Sequence, residues 1–245
     1  MLVIAHVSDV HFDGSERNAE RSRRVLEHIA TLRQPVDVVL VTGDIADHGR
    51  AAEYEEAAKV LTAPAPLLLC PGNHDIRGPY REVLLHQPNG DGPINAAHRV
   101  GGAVFAMCDS SIPGRDDGLL DDETFAWLEG VVADAGDDPV LICFHHPPVL
   151  LHSPFLDSIR QRGEDRLADL IRRSPQVVGV LCGHAHTAAA TTFAGKPLLV
   201  APGVASTLRL PWETETVIDY SFPPAYAFHI LDDERRLTTH YRVVP

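Results

Sequence analysis

The sequence predicts an α/β domain of layered sheets and helices, and three observations predict it. Short apolar runs rich in Val, Ile and Leu recur along the chain, bounded by Gly, Pro, Asp or Asn and too short for helices. Amphipathic helical patterns lie between several of these runs as far as Ala185. After Ala201 the helical patterns stop.

The first run, Leu2 to Val7, reads as a strand buried on both faces. Glu20 to Leu32 places Val25, Leu26, Ile29 and Leu32 on one helical face. Val36 to Val41 is the next strand, Ala51 to Leu61 a helix rich in Ala and Glu, and Pro66 to Cys70 a third strand. Gln87 to Arg99 carries Pro, Asn and Gly and reads as an adaptable loop before the strand Ala103 to Cys108. Asp122 to Ala133 opens on Asp at a capping position and carries Phe125, Trp127, Leu128 and Val131, which predicts a helix. A shorter helix, Asp165 to Arg172, separates the strands Val140 to Phe144 and Val177 to Cys182. Pro197 to Ala201, Ala225 to Leu231 and Leu237 to Val243 complete the strands. Between them, Pro211 to Pro224 mixes acidic residues with Trp212, Tyr220 and Phe222 in no clear period. We read that stretch, within residues 203–226, as a lid, a substrate wall or the contact of a homodimer. No repeat and no Gly/Ser-rich linker divides the chain, so residues 1–245 form one expected domain.

Composition narrows the function. Thirty-four acidic against 21 basic residues leave a net charge of −13. Nucleic-acid binders and polybasic membrane anchors both work through Lys and Arg, so neither partner is expected. The only basic cluster is Arg160, Arg162, Arg166, Arg172 and Arg173, which keeps a nuclease as a remote alternative. No apolar stretch is long enough to span a membrane, and Met1 to Ala5 is too short for a signal-peptide core. Cys70, Cys108, Cys143 and Cys182 form no C-x-x-C pair and sit in apolar runs, as reduced core thiols do. The expected setting is the cytoplasm. The unusual number is 14 His beside this acidic excess, a rich supply of imidazole and oxygen metal ligands.

The residues at the end of each apolar run carry the chemistry. The first strand delivers Asp9 and His11 at i and i+2, which in an extended chain puts both on one face. Later strands end in Gly43-Asp44, in Gly72-Asn73-His74-Asp75, in His145-His146 and in Gly183-His184-Ala185-His186. Strand carboxyl ends gather at one edge of an α/β sheet, the usual place for ligands. Asp9 and Asp44 would repel one another there, so a cation is the economical partner. Asp9, His11, Asp44, Asn73, His145, His184 and His186 are too many for one tetrahedral zinc. They suit two metals sharing a carboxylate, each short of full coordination so that water and substrate can enter. Ligation by N and O without Cys accommodates Mn, Fe, Zn or Co. His74, between a ligand and Asp75, can reach the substrate; Asp75 either fixes its tautomer or only shapes the loop. His146, facing away from His145 in an extended segment, reads as supporting or structural, and Asp47 as a residue that steadies the loop after Asp44.

In this order the blocks resemble the five-block signature of calcineurin-like metallophosphoesterases. The resemblance implies that Asp9, His11, Asp44 and His186 hold one metal and that Asp44, Asn73, His145 and His184 hold the other, Asp44 bridging. It implies a four-layer α/β/β/α sandwich, two mixed β-sheets packed face to face with helices outside. A finer similarity runs through His6 to Phe12, Gly43 to Asp47, Ser111 to Gly114 with Gly118 to Asp121 and Trp127-Leu128, His145 to Pro148, and Pro202 to Pro224. These segments resemble bacterial class III cyclic nucleotide phosphodiesterases and their glycerophosphodiester phosphodiesterase relatives. The activity so implied is binuclear metal-dependent hydrolysis of small phosphodiesters, 3′,5′-cyclic nucleotides such as cAMP first and glycerophosphodiesters or a broad range of diesters as the alternative, with His74 and Asp75 as the catalytic pair. The reading from a different class is an inactive scaffold, but a scaffold is expected to lack ligands that this chain retains.

Overall fold

A computed structural model describes residues 1–245. Its elements run β1 (Leu2–Val7), α1 (Glu16–Ala30), β2 (Val38–Thr42), α2 (Ala51–Val60), β3 (Leu67–Cys70), α3 (Arg77–Leu84), β4 (Ala96–Val100) and β5 (Ala103–Met107). There follow β6 (Gly118–Leu119), α4 (Asp122–Asp134), β7 (Val140–Cys143), α5 (Pro154–Ser158), β8 (Gln161–Arg162), α6 (Glu164–Arg173) and β9 (Val177–Cys182). The chain ends with β10 (Ala189–Phe193), β11 (Lys196–Val200), β12 (Thr207–Leu208), β13 (Ile218–Asp219), β14 (Ala225–Leu231) and β15 (Leu237–Val243).

Two mixed sheets hold the molecule together. One has the order β15-β14-β1-β2-β3, with β1, β2 and β3 parallel and β14 and β15 antiparallel. The other has the order β10-β11-β9-β7-β5-β4, with four parallel central strands and antiparallel edges. The period-two alternation of strand side chains sorts the apolar residues into three layers. Leu2, Ile4, Val38 and Leu40 of the first sheet meet Phe105, Met107, Leu141 and Cys143 of the second in a core between the sheets. Their alternate neighbours Ala5, Val7, Val39 and Val41 face Val25, Leu26 and Ile29 of α1, with Tyr54 and Tyr80 from α2 and α3. On the far side Val104, Ala106, Ile142 and Val180 pack against Phe125 and Leu128 of α4 and Leu167, Leu170 and Ile171 of α6. The result is helix, sheet, sheet, helix. Truncating one of these side chains, as in Leu40→Ala, costs about 2–5 kcal/mol because the layers on both sides leave the cavity little room to collapse.

Where the sequence reading misses, the missed residues are polar. Helix α1 starts at Glu16 rather than Glu20, because its first turns pack through buried Asn18, Arg21 and Ser22 instead of apolar side chains. Gln87 to Arg99 is not all loop: its end forms β4, antiparallel to β5. Edge strand β10 exposes Ala190, Thr191 and Thr192 and shows no apolar run. Helix α3, absent from the sequence reading, carries Pro79 in its first turn, where the missing N–H has no partner to lose. The stretch from Pro211 to Pro224 is the outer part of a hairpin in which β12 pairs with β13.

Candidate metal centre

Adjacent parallel strands β1, β2 and β3 of one sheet, and β7 and β9 of the other, end at the same edge of the sandwich. The loops beyond them bring together the seven residues singled out in the sequence. Five of the seven sit in left-handed backbone: Asp9 at φ 55°, His11 at 45°, Asp44 at 50°, His184 at 68° and His186 at 50°. Each such residue costs about 1–2 kcal/mol, which the surrounding structure must offset. The extended-chain argument for Asp9 and His11 is thereby corrected, since both reach the site by turning and not by pleating. Close approach also requires glycine. A Cβ on Gly43 would lie 2.4 Å from His145 Nδ1, and one on Gly72 2.2 Å from Asp44 Oδ1.

Asp9, His11, Asp44 and His186 bring their ligand atoms within 4.8 Å of one another. His11 Nδ1 donates to Asp47 Oδ1 at 2.9 Å, and His186 Nδ1 is hydrogen-bonded to Ser206 Oγ at 2.8 Å. The Nε2 atoms of the two rings face each other at 3.1 Å, where a cation would take both as ligands. Beside this pair His145 Nδ1 donates to the Thr42 carbonyl at 2.7 Å, which turns its Nε2 toward His184 Nδ1 at 3.2 Å. Asn73 Oδ1 and His184 Nε2 are buried without a hydrogen-bond partner. Asp44 Oδ2 lies 3.5 Å from His11 Nε2 and 3.3 Å from His145 Nε2, between the two sets. These donors fit two cations sharing Asp44.

The electrostatics agree with the geometry. Burial alone pushes Asp44 up, but His145, His11 and His74 outweigh it and hold the carboxyl well below its usual range. Burial raises Asp9 to about 6, and Asp44 adds to the rise. His145 is pushed down by burial, yet Asp44 and Asp9 carry it up to about 9. Without a cation the centre must therefore recruit a proton.

His74 lines the open face of this group, its ring 4.7 Å from that of His11. Its Nδ1 donates to the Asp47 carbonyl at 2.7 Å, and its backbone N–H donates to Asp44 Oδ1 at 2.9 Å. Asp75 does not contact the His74 ring. Its carboxylate instead accepts from Ile45 N, Ala46 N, Gly72 N and Tyr54 Oη, at 3.2, 3.0, 2.8 and 3.1 Å. Of its two sequence readings, loop shaping is the one the geometry supports, and Asp47 takes over the orienting part. Asp47 was visible only as a loop residue; Ser206, which fixes His186, gives no sequence signal. His146 is buried and bonded to Ser110 Oγ at 2.8 Å, its ring lies 4.6 Å from that of His184, and its Nε2 has no partner; it groups with His145 and His184 and does not face away as the extended-chain reading expects.

The centre opens into a cavity of about 740 Å³. His11, Asp44, Asn73, His74, His184 and His186 line it together with the apolar side chains of Phe155, Ile159, Leu208, Ile218 and Tyr220. A second cavity of about 540 Å³ shares Asp47, Asn73 and His74 with it and continues past Ser111 to Gly114.

Residues 2–188 match the model of the calcineurin-like phosphoesterase family, and the chain belongs to that family. It is 34% identical over 247 aligned residues to a glycerophosphodiester phosphodiesterase of Enterobacter lignolyticus, covering 93% of this chain and 86% of that one. It is 30% identical, also over 247 residues, to a 3′,5′-cyclic adenosine monophosphate phosphodiesterase of Pseudomonas aeruginosa, covering 97% and 88%. A dimetal phosphatase from Danio rerio shares the fold, with a TM-score of 0.73 over 100% of this chain and 96% of that one at 14% identity. The protein is a phosphoester hydrolase of the metallophosphoesterase fold.

Proposed function

We propose that the protein is a phosphodiesterase for small diesters and that 3′,5′-cyclic nucleotides, cAMP among them, are its substrates. The observation that carries the reading is the joined pair of ligand sets around Asp44, opening with His74 onto a cavity of a size that encloses one small ligand. Relatives named as cyclic nucleotide and glycerophosphodiester phosphodiesterases support it. Asp13, Asp47 and Asp116 on the cavity lining repel long polyanions, which disfavours a nucleic-acid substrate. Four reduced, buried cysteines go with a cytoplasmic setting. We read residues 1–245 as one domain, because the core between the sheets draws on Leu2 and on Leu231 and Leu237 alike.

Two metal ions held here, of Mn, Fe, Zn or Co type, would supply a water of near-neutral pKa and polarise a phosphoryl oxygen. The chain's own residues do the rest. Asp44 ties the two ligand sets together, Asp47 fixes the tautomer of His11, and Ser206 orients His186. His74, anchored through Nδ1, keeps Nε2 free to hold the proton that passes to the leaving oxygen. Asp75 pins the loop that carries Asn73 and His74 to the loop after Asp44.

One observation favours the glycerophosphodiester alternative: the second cavity past His74 could receive a separate alcohol arm, which a cyclic substrate does not have. The test is a comparison of kcat/KM for 3′,5′-cAMP, 2′,3′-cAMP and glycerophosphoethanolamine on metal-reconstituted protein. The expected order puts 3′,5′-cAMP first. Glycerophosphoethanolamine ahead of it overturns the cyclic nucleotide reading, and no turnover of any diester at full metal content leaves only a binding scaffold.

A further inference from the structure

We propose that the apolar part of the lining of the large cavity is a binding site for a flat, uncharged heterocycle, the base of a nucleotide. The inference rests on the phosphodiesterase reading above and names the part of the substrate that this chain recognises apart from the phosphate.

The wall is apolar where the rest of the cavity is polar. Phe155 of α5 and Ile218 and Tyr220 of the β13 segment remain 48%, 43% and 61% exposed, and they line the same space as the metal ligands. Large apolar side chains converging on a cavity beside a polar centre are how small-ligand sites provide contact area while a few polar groups fix orientation. Only the Arg17 guanidinium lies over one of them, Tyr220, and much of their surface stays open.

The wall is also held firmly. Leu208 pairs with Ile218 and Thr207 with Asp219, and Arg209 closes the hairpin on Asp219 Oδ2 at 2.7 Å. Two arginines one turn apart on α1 then tie both flanks of the hairpin to the helix. Arg17 donates to the Ala205 and Tyr220 carbonyls at 2.9 and 2.8 Å, its guanidinium 5.1 Å from the Tyr220 ring centroid. Arg21 donates to the Val204 and Phe222 carbonyls at 2.6 and 2.8 Å. The same helix holds the metal loop, since Asn18 Nδ2 donates to the His11 carbonyl at 2.7 Å. Wall and ligands thus share one support, as a site that must set the distance between a base and a phosphate requires.

Charge selects the occupant. Arg17 is the only Arg or Lys lining the cavity, and its guanidinium is engaged by backbone carbonyls. No cation is left for a second phosphate, and the carboxylates of Asp13 and Asp116 oppose one. A nucleobase fits both conditions: its face stacks on an aromatic ring whatever its identity, and its exocyclic N–H groups suit carboxylate neighbours.

The test uses metal-reconstituted full-length protein, 3′,5′-cAMP and its base-free analogue 1-deoxyribofuranose 3′,5′-cyclic phosphate. Tyr220→Ala and Phe155→Ala should each raise KM for cAMP about tenfold, the effect of losing one stacking contact, with kcat nearly unchanged. KM for the base-free analogue should not move, and Tyr220→Phe should restore the KM for cAMP. Metal content and turnover of the analogue verify that each variant folds. Equal shifts for both substrates, or no shift for cAMP in either alanine variant, overturn the base site. A wild-type protein that turns over glycerophosphoethanolamine and neither cyclic substrate overturns the underlying substrate reading instead.

Discussion

Two groups of buried histidines share the strands of this fold and differ in how their hydrogen bonds close. In the core between the sheets, Thr239 Oγ1 meets His229 Nδ1 at 2.7 Å, His229 Nε2 meets His6 Nδ1 at 3.0 Å, and His6 Nε2 meets Thr42 Oγ1 at 2.8 Å. Thr42 Oγ1 donates to Ser8 Oγ, and Ser8 Oγ to the Thr42 carbonyl, both at 3.0 Å. Placing one proton on each ring, all pointing the same way, satisfies the whole chain with every member neutral. That chain ends on the carbonyl which accepts from His145 Nδ1, and there the second group begins. In the metal centre the set does not close: Asn73 Oδ1 and His184 Nε2 are buried without a partner beside the buried carboxylates of Asp9 and Asp44. Both groups are buried, so burial does not mark the site. Unpartnered ligand atoms gathered around two carboxylates do.

The largest effect is expected at Asp44, the carboxylate within reach of both ligand sets. Asp44→Ala should lower kcat/KM by more than the about 100-fold that loss of an outer partner costs, and should reduce bound metal to at most one ion per chain by elemental analysis. Retention of two ions would mean that the sets close without it. Next in size is His74→Ala, expected to cut kcat about 10²-fold while metal content stays at the wild-type level. Concurrent loss of metal would move His74 into the ligand set. Ser206→Ala removes only the group that orients His186 and should weaken metal binding by about 10–100-fold, read by calorimetry with Mn²⁺. Chelation supplies the matching stability measurement. A metal at 100 times its Kd adds about 2.7 kcal/mol to the wild type, and Asp44→Ala should lose most of that gain.

These contrasts were unevenly legible in the sequence. The central strands stood out because burial on both faces writes them as continuous apolar runs, and the ligands stood out because Asp, His and Asn come directly after those runs. Edge strands β4 and β10 and the first turns of α1 were silent, since their packing uses polar or half-exposed residues. Ser206 lies 20 residues from the histidine it orients, and only the turn after β11 brings them together. The left-handed backbone at Asp9, His11 and Asp44 could not be foreseen either, because none of these is the glycine that usually announces it. His6 and His229 are the clearest case. By residue type they are indistinguishable from His184 and His186, and only the partners supplied by β2 and β15 show that they are complete.

That completeness has a pH signature. Burial drives His229 down to about 3 and His6 well below its ordinary value of 6.5. Both stay neutral in the native state, whereas the unfolded chain takes up protons below about pH 6.5. Between about pH 6.5 and pH 3 the unfolded state therefore binds more protons, so stability is full above that window and falls as the solution is acidified. Each histidine contributes a slope of about 1.4 kcal/mol per pH unit. Carboxylates and imidazoles of the metal centre titrate in the same range, so wild type and His229→Gln should be compared, both metal-free and in chelator. Gln can still bond to both neighbours but takes no proton. Denaturant midpoints measured from pH 6 to pH 4 should decline less steeply in the variant, by that slope for one group. Parallel declines would show that His229 accepts a proton inside the fold, and the relay would then be as open as the metal centre.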